Sequence, residues 1–591
     1  MKTPNIKLIY VAIVFAIMAT FPLVASAQEV ETNKITITET ARVLHTYTGA
    51  ATGAGLTASN WDTGLTPTNT SQTVFGWRDQ VSPTEVTEYY TNIVTFADIL
   101  VDARPEQNSY VTFSLPVANM ASGMAKINVG DTMKFDRTAN GNLNWTLEAL
   151  DNSGTVIVSA GTPDANSRTY NMIFTTPYAV TNRAGGLINI HNGSGRTTIV
   201  QQLQMNVRNR NDGEYLISNT PQQVSNGAIL RLENSGVFEN NGIIRVLTTG
   251  NSVNGTSYSR LTFASAENYI YSAFEGNGKL VFEMRQWTRS HSPIAQATFS
   301  STTHIITNGI SHTIEGEGLM NPCNLINDGL VLANGANDRL EIRSDSMWNQ
   351  NTSSLRSALK RIQNNADGRF VCSSTNGLLL GTDSALANRP SRFLNYGLME
   401  SRTGCFIAFR PNVTHSDNWQ QVEPPVNILL SGTWAGGGAF RIPRPLQLDG
   451  NAVVSPGDLY ADDGFGGAIT NGTGVSTAGV LTFTNSLILS ASTQVNVQLG
   501  SPSERGVTYD GIDVGGDFTL DGILNISDLG GRIHNGEYVI FKWPTTRNFT
   551  DKGLAIGTLP NGWKKAIVEL DNLAGELRVI VPPQETLLII K

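Results

Sequence analysis

Short runs of alternating apolar and polar residues dominate residues 28–210, and clusters of Gly, Asn, Asp and Pro separate them. Repeated short strands with turn signals between them are typical of β-sandwiches and jelly rolls. No helical stripe competes with them, so residues 28–210 are predicted to form one jelly-roll-like β-sandwich domain. The runs are residues 35–38, 110–116, 143–150, 154–160, 170–176 and 199–207.

A different pattern fills residues 211–450, where Asn, one further residue and Gly often precede two or three aliphatic residues. The Gly residues are expected to supply positive φ at a turn, and each aliphatic run a short strand. A spacing near twenty residues, as from Gly309 to Gly329 and from Gly377 to Gly397, suggests one strand-turn unit per repeat. We therefore predict a parallel β-helix rather than independent hairpin domains, with recurrent Asn amides stacking between coils. The matching segments are residues 234–237, 240–244, 277–281, 327–332, 376–380 and 395–399.

One segment interrupts this rhythm. Residues 354–362, SLRSALKRI, place apolar side chains at i, i+3, i+4 and i+7. The spacing predicts a short amphipathic helix inserted in a loop and lying on the solenoid wall.

Long strands with Asp-Gly and Gly-Gly turns follow in residues 451–591, which we expect to continue or cap the solenoid. The order of Ser-Pro-Gly at 455–457, LILSASTQVNVQL, YDGIDVGGDFTLDGILNI and a Gly-x-Tyr strand resembles the end of autotransporter passenger regions. It is also similar to secreted β-helix proteins of planctomycete and verrucomicrobial type, with autotransporter-associated strand repeats. The resemblance covers about 211–581. It implies a secreted or surface-displayed solenoid with a structural, adhesive or matrix role.

The chain departs from autotransporters at residues 581–591, VPPQETLLIIK, which lack the pattern of a C-terminal membrane barrel. The anchoring mechanism therefore stays open. At the other end, two lysines, an apolar run and Ala25-Ser26-Ala27 predict a secretory signal peptide over residues 1–27. The mature chain is expected outside the cell or on its surface, with no membrane span.

The net charge of the chain restricts the classes of molecule that we expect it to bind. Removing Lys2 and Lys7 with the signal peptide takes the net charge from -8 to -10. An acidic surface repels nucleic acid and anionic lipid, so neither is an expected partner. The expected partners are extracellular polysaccharide or other surface components, and open solenoid ends near residues 211 and 581 would favour self-association.

Candidate chemistry is sparse. Cys323, Cys372 and Cys405 are too widely spaced for a disulfide framework, so core packing or a single bridge is expected. His304 and His312 lack a third ligand nearby and are expected to face solvent. Asp462 and Asp463 fit turn chemistry better than glycoside hydrolysis. A run of aspartates leaves calcium open, although solvated turns explain it better: Asp510, Asp513, Asp517 and Asp521. No catalytic residue is predicted.

Binding is the remaining activity. Trp61, Trp77, Tyr89 and Tyr90 are candidate stacking platforms for sugar rings in the 28–210 domain, beside the alternative of core packing. We predict a structural or adhesive protein, with a carbohydrate-binding module and a polysaccharide lyase or hydrolase as alternatives. An exposed aromatic row favours the module. A wall groove with carboxylate and cationic residues from neighbouring coils favours the enzyme, and a smooth polar wall favours the structural role.

Overall fold

A computed structural model describes strands and turns between residues 43 and 582. Its larger gaps are residues 47–70, 76–83, 89–97, 114–123, 160–170, 249–257, 285–293, 344–360, 382–390, 415–427 and 460–476. The described chain passes in turn through three sheets, which we call A, B and C, with parallel pairing between the strands of successive coils. The predicted all-β parallel β-helix is confirmed.

Sheet A carries the first strand of each coil and sheet B the second. The strands of sheet A are Val43–Thr46, Ser71–Phe75, Asp98–Val101, Met124–Ile127, Ala149–Asn152, Val180–Asn182, Asn209–Asn211, Gly236–Asn240, Ile270–Glu275, His304–Asn308, Asn324–Asn327, Ile362–Asn364, Ser391–Asn395 and Val413–Thr414. Those of sheet B are Thr84–Glu88, Ser109–Phe113, Thr132–Asp136, Thr155–Ser159, Leu187–His191, Glu214–Asn219, Ile243–Thr248, Lys279–Met284, Thr313–Gly316, Leu330–Ala333, Arg369–Cys372, Leu398–Ser401, Thr433–Gly436, Val453–Pro456, Gln494–Leu499, Ile523–Asp528 and Ala555–Ile556.

Sheet C completes each coil, and sheet A′ takes the place of sheet A in the C-terminal coils. The strands of sheet C are Leu143–Thr146, Asn171–Thr176, Arg196–Gln202, Gly227–Glu233, Tyr258–Ala264, Ile294–Phe299, Gly318–Asn321, Leu340–Ile342, Leu378–Leu380, Phe406–Phe409, Ala439–Arg441, Val480–Phe483, Gly511–Val514, Gly536–Lys542, Ile567–Asp571 and Glu576–Val581. Those of sheet A′ are Ile428–Leu430, Leu446–Leu448, Leu487–Ile488, Phe518–Leu520 and Phe549–Asp551.

The sandwich predicted for residues 28–210 is not what its described strands form. Ala149–Asn152 pairs in parallel with Val180–Asn182, and Val180–Asn182 pairs with Asn209–Asn211, which lies at the predicted boundary. The pairing then continues unchanged to Gly236–Asn240. Alternating polarity misled the prediction because a β-helix strand also buries one face and exposes the other. Much of residues 28–123 lies outside the described residues.

A ladder of buried asparagines joins sheets A and B at the corner of each coil. Asn152 Nδ2 donates to Asn182 Oδ1 at 2.8 Å, Asn182 Nδ2 to Asn211 Oδ1 at 2.8 Å, and Asn211 Nδ2 to Asn240 Oδ1 at 2.7 Å. The same bonds run from Asn308 through Asn327 and Asn364 to Asn395. These side chains are 0% exposed. The predicted amide stacking is therefore present.

Gly377 adopts the predicted positive φ, at +90°, but the glycines of two other predicted corners have a different role. A Cβ on Gly242 would lie 2.0 Å from Gly213 O, and one on Gly329 would lie 2.2 Å from Gly309 O. These corners therefore require glycine because successive coils approach closely, and not because φ is positive.

The repeat length also differs from the predicted twenty residues. Successive ladder asparagines are 29, 30, 31 or 37 residues apart, and 19 apart only from Asn308 to Asn327. A coil contains three strands, so most coils need about thirty residues. The spacing of Gly377 and Gly397 joins two different corners, because Gly377 precedes Leu378–Leu380 of sheet C and Gly397 precedes Leu398–Ser401 of sheet B.

The end near residue 581 changes direction. Glu576–Val581 pairs antiparallel with Gly536–Lys542, and Ile567–Asp571 pairs antiparallel with Glu576–Val581. Arg578 Nη2 bonds Glu576 Oε2 at 2.8 Å along one strand of this hairpin. This hairpin ends the parallel ladder of sheet C, as a cap would. Residue 211, in contrast, lies within the continuous ladder of sheet A.

The helix predicted for residues 354–362 falls mostly outside the described residues. Its last residue, Ile362, begins the strand Ile362–Asn364 and is fully buried in the core. That end of the predicted helix is therefore wrong, because Ile362 belongs to the sheet A ladder and pairs with Leu325 and Phe393.

Candidate functional site: a groove on the solenoid wall

A cavity of about 650 Å³ lies on the outer face of sheet B, and we call it the wall groove. This volume is in the range of small-molecule sites. Three successive strands, Ile243–Thr248, Lys279–Met284 and Thr313–Gly316, carry its floor. The lining residues are Asn241, Gly242, Ile243, Arg245, Asn277, Gly278, Lys279, Val281, Phe282, Glu283, Met284, Glu315, Gly316, Glu317, Asn334, Gly335, Ala336 and Asn337.

Charged side chains of neighbouring coils pair across this floor. Arg245 Nε bonds Glu214 Oε1 at 2.9 Å, and its Nη1 bonds Glu283 Oε1 at 2.7 Å. Lys279 Nζ bonds Glu315 Oε2 at 3.1 Å. Burial opposes the charge of Arg245, but its bonds to Glu214 and Glu283 outweigh burial and raise the pKa of Arg245. Each of these pairs joins side chains of adjacent coils, so the floor contains both hydrogen-bond donors and acceptors.

The two carboxylate oxygens of Glu283 have different surroundings. Oε1 accepts from Arg245, whereas Oε2 is buried and has no hydrogen-bond partner within the described part of the chain. The side chain as a whole is 33% exposed and lines the wall groove. The buried Oε2 is not open to a ligand in this structure.

Glu317 builds the rim of the wall groove. Its side chain is nearly buried, and its carboxylate accepts from the backbone N–H of Met284 at 3.0 Å, of Asn337 at 2.6 Å and of Asp338 at 2.8 Å. The Asn337 amide also donates to Met284 O at 2.7 Å. A Cβ on Gly335 would lie 2.2 Å from Glu317 Cβ, so the loop needs glycine to lie this close.

The chemistry of the wall groove suits a hydroxyl-rich ligand. Its polar groups are ion-paired side chains and the amides of Asn241, Asn277 and Asn337. Phe282, the aromatic residue of the lining, is fully buried in the core, so it offers no ring face for stacking. Successive coils present equivalent positions about 4.8 Å apart. An extended polysaccharide lying across the strands would therefore contact side chains of several successive coils.

The predicted sugar-binding residues Trp61, Trp77, Tyr89 and Tyr90 all fall outside the described residues. Their role therefore stays a prediction.

His312 corrects the expectation of a solvent-facing side chain. It is fully buried and lies at a gap in the asparagine ladder. In the parallel register, Glu239 pairs with Glu275. The residue opposite Asn240 is therefore Gly276, which has no side-chain amide. The ring stacks on Phe274 at a centroid distance of 5.1 Å. His304 begins the strand His304–Asn308.

The imidazole of His312 bridges the ladder in its neutral form. Asn240 Nδ2 donates to Lys279 O at 3.1 Å and lies 2.9 Å from His312 Nε2, so Nε2 accepts. Asn308 Oδ1 lies 2.7 Å from Nδ1, so Nδ1 carries the proton. Burial lowers the pKa of His312 to about 3. His312 thus links Asn240 to Asn308 and takes the place of the missing asparagine in the ladder.

The aspartates proposed for calcium have separate partners. Asp510 is buried and accepts from Gly479 N at 3.0 Å and Gln498 N at 2.7 Å, and burial raises its pKa to about 7. Asp513 pairs with Arg505 at 2.8 Å. Asp462 and Asp463 lie outside the described residues. Within those residues, no group of three or more His, Cys, Asp or Glu side chains is arranged to hold a metal ion.

Two of the three cysteines are described. Cys372 and Cys405 are buried free thiols in the core, as the core-packing interpretation predicts, and Cys323 lies outside the described residues. Over the same part of the chain, no helix has both the length and the apolar character that a membrane span requires.

Comparison with known proteins gives one short similarity. A segment of 91 residues, 15% of this chain, is 42% identical to the adhesin BmaC autotransporter of Brucella suis biovar 1 (strain 1330). The match spans 3% of that protein's length. No family model matches the chain. The similarity and the parallel β-helix agree with an autotransporter-passenger-like protein and suggest a secreted or cell-surface location.

Proposed function

We propose that this protein is an exported β-helix of the cell surface or extracellular matrix that adheres to polysaccharide or other surface components. The single observation that supports it most is the similarity to an autotransporter adhesin in a chain that folds as a parallel β-helix. We further propose that it is of the planctomycete and verrucomicrobial type, and that residues 1–27 are removed on export.

The wall groove is the proposed binding site. It combines paired charges with the amides of Asn241, Asn277 and Asn337. These groups suit a hydroxyl-rich chain better than an apolar ligand, because an apolar ligand would leave buried polar groups without partners. The aromatic residues of 28–210 remain the alternative site.

The experiment is display of the full chain on a bacterium that otherwise lacks it. Protease treatment of intact cells should remove the chain, and cells carrying it should adhere to a polysaccharide-coated surface better than cells without it. A chain that resists protease on intact cells but is cut after lysis would contradict the location. Surface display without any gain in adherence would contradict the adhesive role.

A polysaccharide-cleaving enzyme is the second candidate, because the wall groove brings carboxylates and cations together from neighbouring coils. Both carboxylates of the floor are engaged, however, Glu283 with Arg245 and Glu315 with Lys279. Release of new reducing or unsaturated ends from a soluble polysaccharide, abolished by Glu283→Gln, would favour this candidate. We expect no such release.

A further inference from the structure

Two thiols of neighbouring strands meet inside the solenoid. Cys372 ends the strand Arg369–Cys372 of sheet B, and Cys405 directly precedes Phe406–Phe409 of sheet C. Cys372 is 0% exposed and Cys405 is 6% exposed. Both side chains belong to the same core cluster. Each thiol acts on the other, because Cys405 raises the pKa of Cys372 and Cys372 lowers the pKa of Cys405.

The backbone holds this arrangement in place. Cys372 lies opposite Ser401 of the next coil in the parallel ladder. Arg402 N donates to Cys372 O at 3.0 Å, and Cys405 N donates to Arg402 O at 2.9 Å, which closes a turn above Cys372. Each thiol also reaches a nearby carbonyl, Cys372 Sγ to Ser374 O at 3.4 Å and Cys405 Sγ to Thr403 O at 3.8 Å. The turn thus brings Cys405 back over the preceding coil.

We propose that Cys372 and Cys405 form a disulfide that links two successive coils of the exported chain. The proposal rests on the export part of the proposed function, because disulfides persist in oxidising compartments. The required oxidant is a small or protein disulfide. The Cys405 thiolate attacks one sulfur of the oxidant and releases one thiol. The Cys372 thiolate then attacks Cys405 Sγ and releases the second thiol, so two protein thiols are oxidised and one oxidant disulfide is reduced.

Burial determines when this reaction occurs. An oxidant cannot reach two enclosed thiols in the folded solenoid, because exchange requires access to the attacked sulfur. The crosslink therefore forms while the chain folds. Folded, reduced protein should react slowly with oxidised glutathione, whereas refolding in a glutathione redox buffer should give the crosslink efficiently.

The test is mass spectrometry of the purified full chain, refolded in reduced and oxidised glutathione and then alkylated. Tryptic digestion without reduction separates the three cysteines into residues 290–339, 370–392 and 403–441, as the positions of Lys, Arg and Pro in the sequence require. We expect peptides 370–392 and 403–441 joined, with the loss of two hydrogen atoms. The crosslinked form should also melt several degrees higher than the reduced form.

Cysteine variants test which two thiols form the crosslink. Cys323→Ser should retain the crosslink, and Cys372→Ser should lose it. Alkylated Cys372 and Cys405 in wild-type protein with a native circular dichroism spectrum would overturn the proposal, and so would a crosslink that requires Cys323. The measurement uses purified protein, so it is independent of adherence. Alkylation of displayed cells before lysis then shows whether the bond forms after export.

Discussion

At the scale of single residues, buried asparagine amides determine the geometry of the corners between sheets A and B. Most ladder asparagines donate to the next asparagine and to a backbone carbonyl, as Asn182 Nδ2 does to Asn211 Oδ1 and Glu214 O. A buried amide is tolerated only when its donors and acceptors are paired. The ladder pairs them by stacking identical residues, so each corner depends on its neighbours.

His312 makes a pH-dependent prediction. The folded protein holds the imidazole neutral with a pKa of about 3, below its ordinary value of 6.5. The unfolded chain takes up the proton first as pH falls, so this contribution to the free energy of unfolding is complete above pH 6.5 and is lost from there towards pH 3. His312→Ala should lower the free energy of unfolding by roughly 2–5 kcal/mol at pH 7, because Asn240 and Asn308 lose their partner.

Denaturant unfolding between pH 7 and pH 4 measures this effect. The difference between wild type and His312→Ala should shrink by about 1.4 kcal/mol per pH unit below pH 6. His534→Ala is the control, because its side chain is exposed at a turn. A difference for His312→Ala that does not vary with pH would mean that the imidazole is not held neutral.

At the scale of strands and turns, the sequence predicted the kind of corner but not its length. The Asn-x-Gly segments at 240–244 and 327–332 both mark a passage from sheet A to sheet B. The segment at 376–380 instead precedes sheet C. Sequence spacing could not separate these corners, because both need a turn followed by an aliphatic strand. Loops of variable length then hide the period of a three-strand coil.

The close approach of coils predicts the effect of a single methyl group. In Gly242→Ala, the new Cβ would meet Gly213 O at 2.0 Å, and neither backbone can move without breaking the ladder. We expect a loss of at least about 3 kcal/mol in the free energy of unfolding.

Gly530→Ala is the matched control for that change. Its φ is +65°, and no atom lies within 4 Å of the new Cβ, so it should lose only about 1 kcal/mol through backbone strain. Equal losses in the two variants, measured by denaturant unfolding, would contradict the collision.

The wall groove shows why a site assembled across strands escapes sequence reasoning. Arg245, Lys279 and Glu283 each occupy an outward position of an ordinary strand, and each alone looks like a solvated charge. Only the register, which sets Arg245 beside Val281 and Val281 beside Glu315, brings the charges together. The role of Glu317 could not be predicted from the sequence either, because its partners are backbone N–H groups of a loop about twenty residues later.

At the scale of the molecule, one parallel ladder runs through the predicted boundary at residue 210. Sheet B also continues past residue 450, from Thr433–Gly436 to Val453–Pro456. Sheet B has no internal edge among its described strands, because each coil pairs with its neighbours. The antiparallel hairpin blunts one end of sheet C. The outer faces of the sheets are therefore the surface available to a partner.

The most direct test of this account is sedimentation of the purified chain 28–591 with insoluble polysaccharides. The groove variant Arg245→Ala/Lys279→Ala is compared with Arg210→Ala, another ion-paired surface arginine, and with Trp61→Ala/Trp77→Ala. We expect binding by wild type, at least about tenfold weaker binding by the groove variant because two hydrogen-bonding groups are lost, and little change in the other two. Binding that survives in the groove variant but disappears with the two tryptophans would contradict the account and place the site in the N-terminal region.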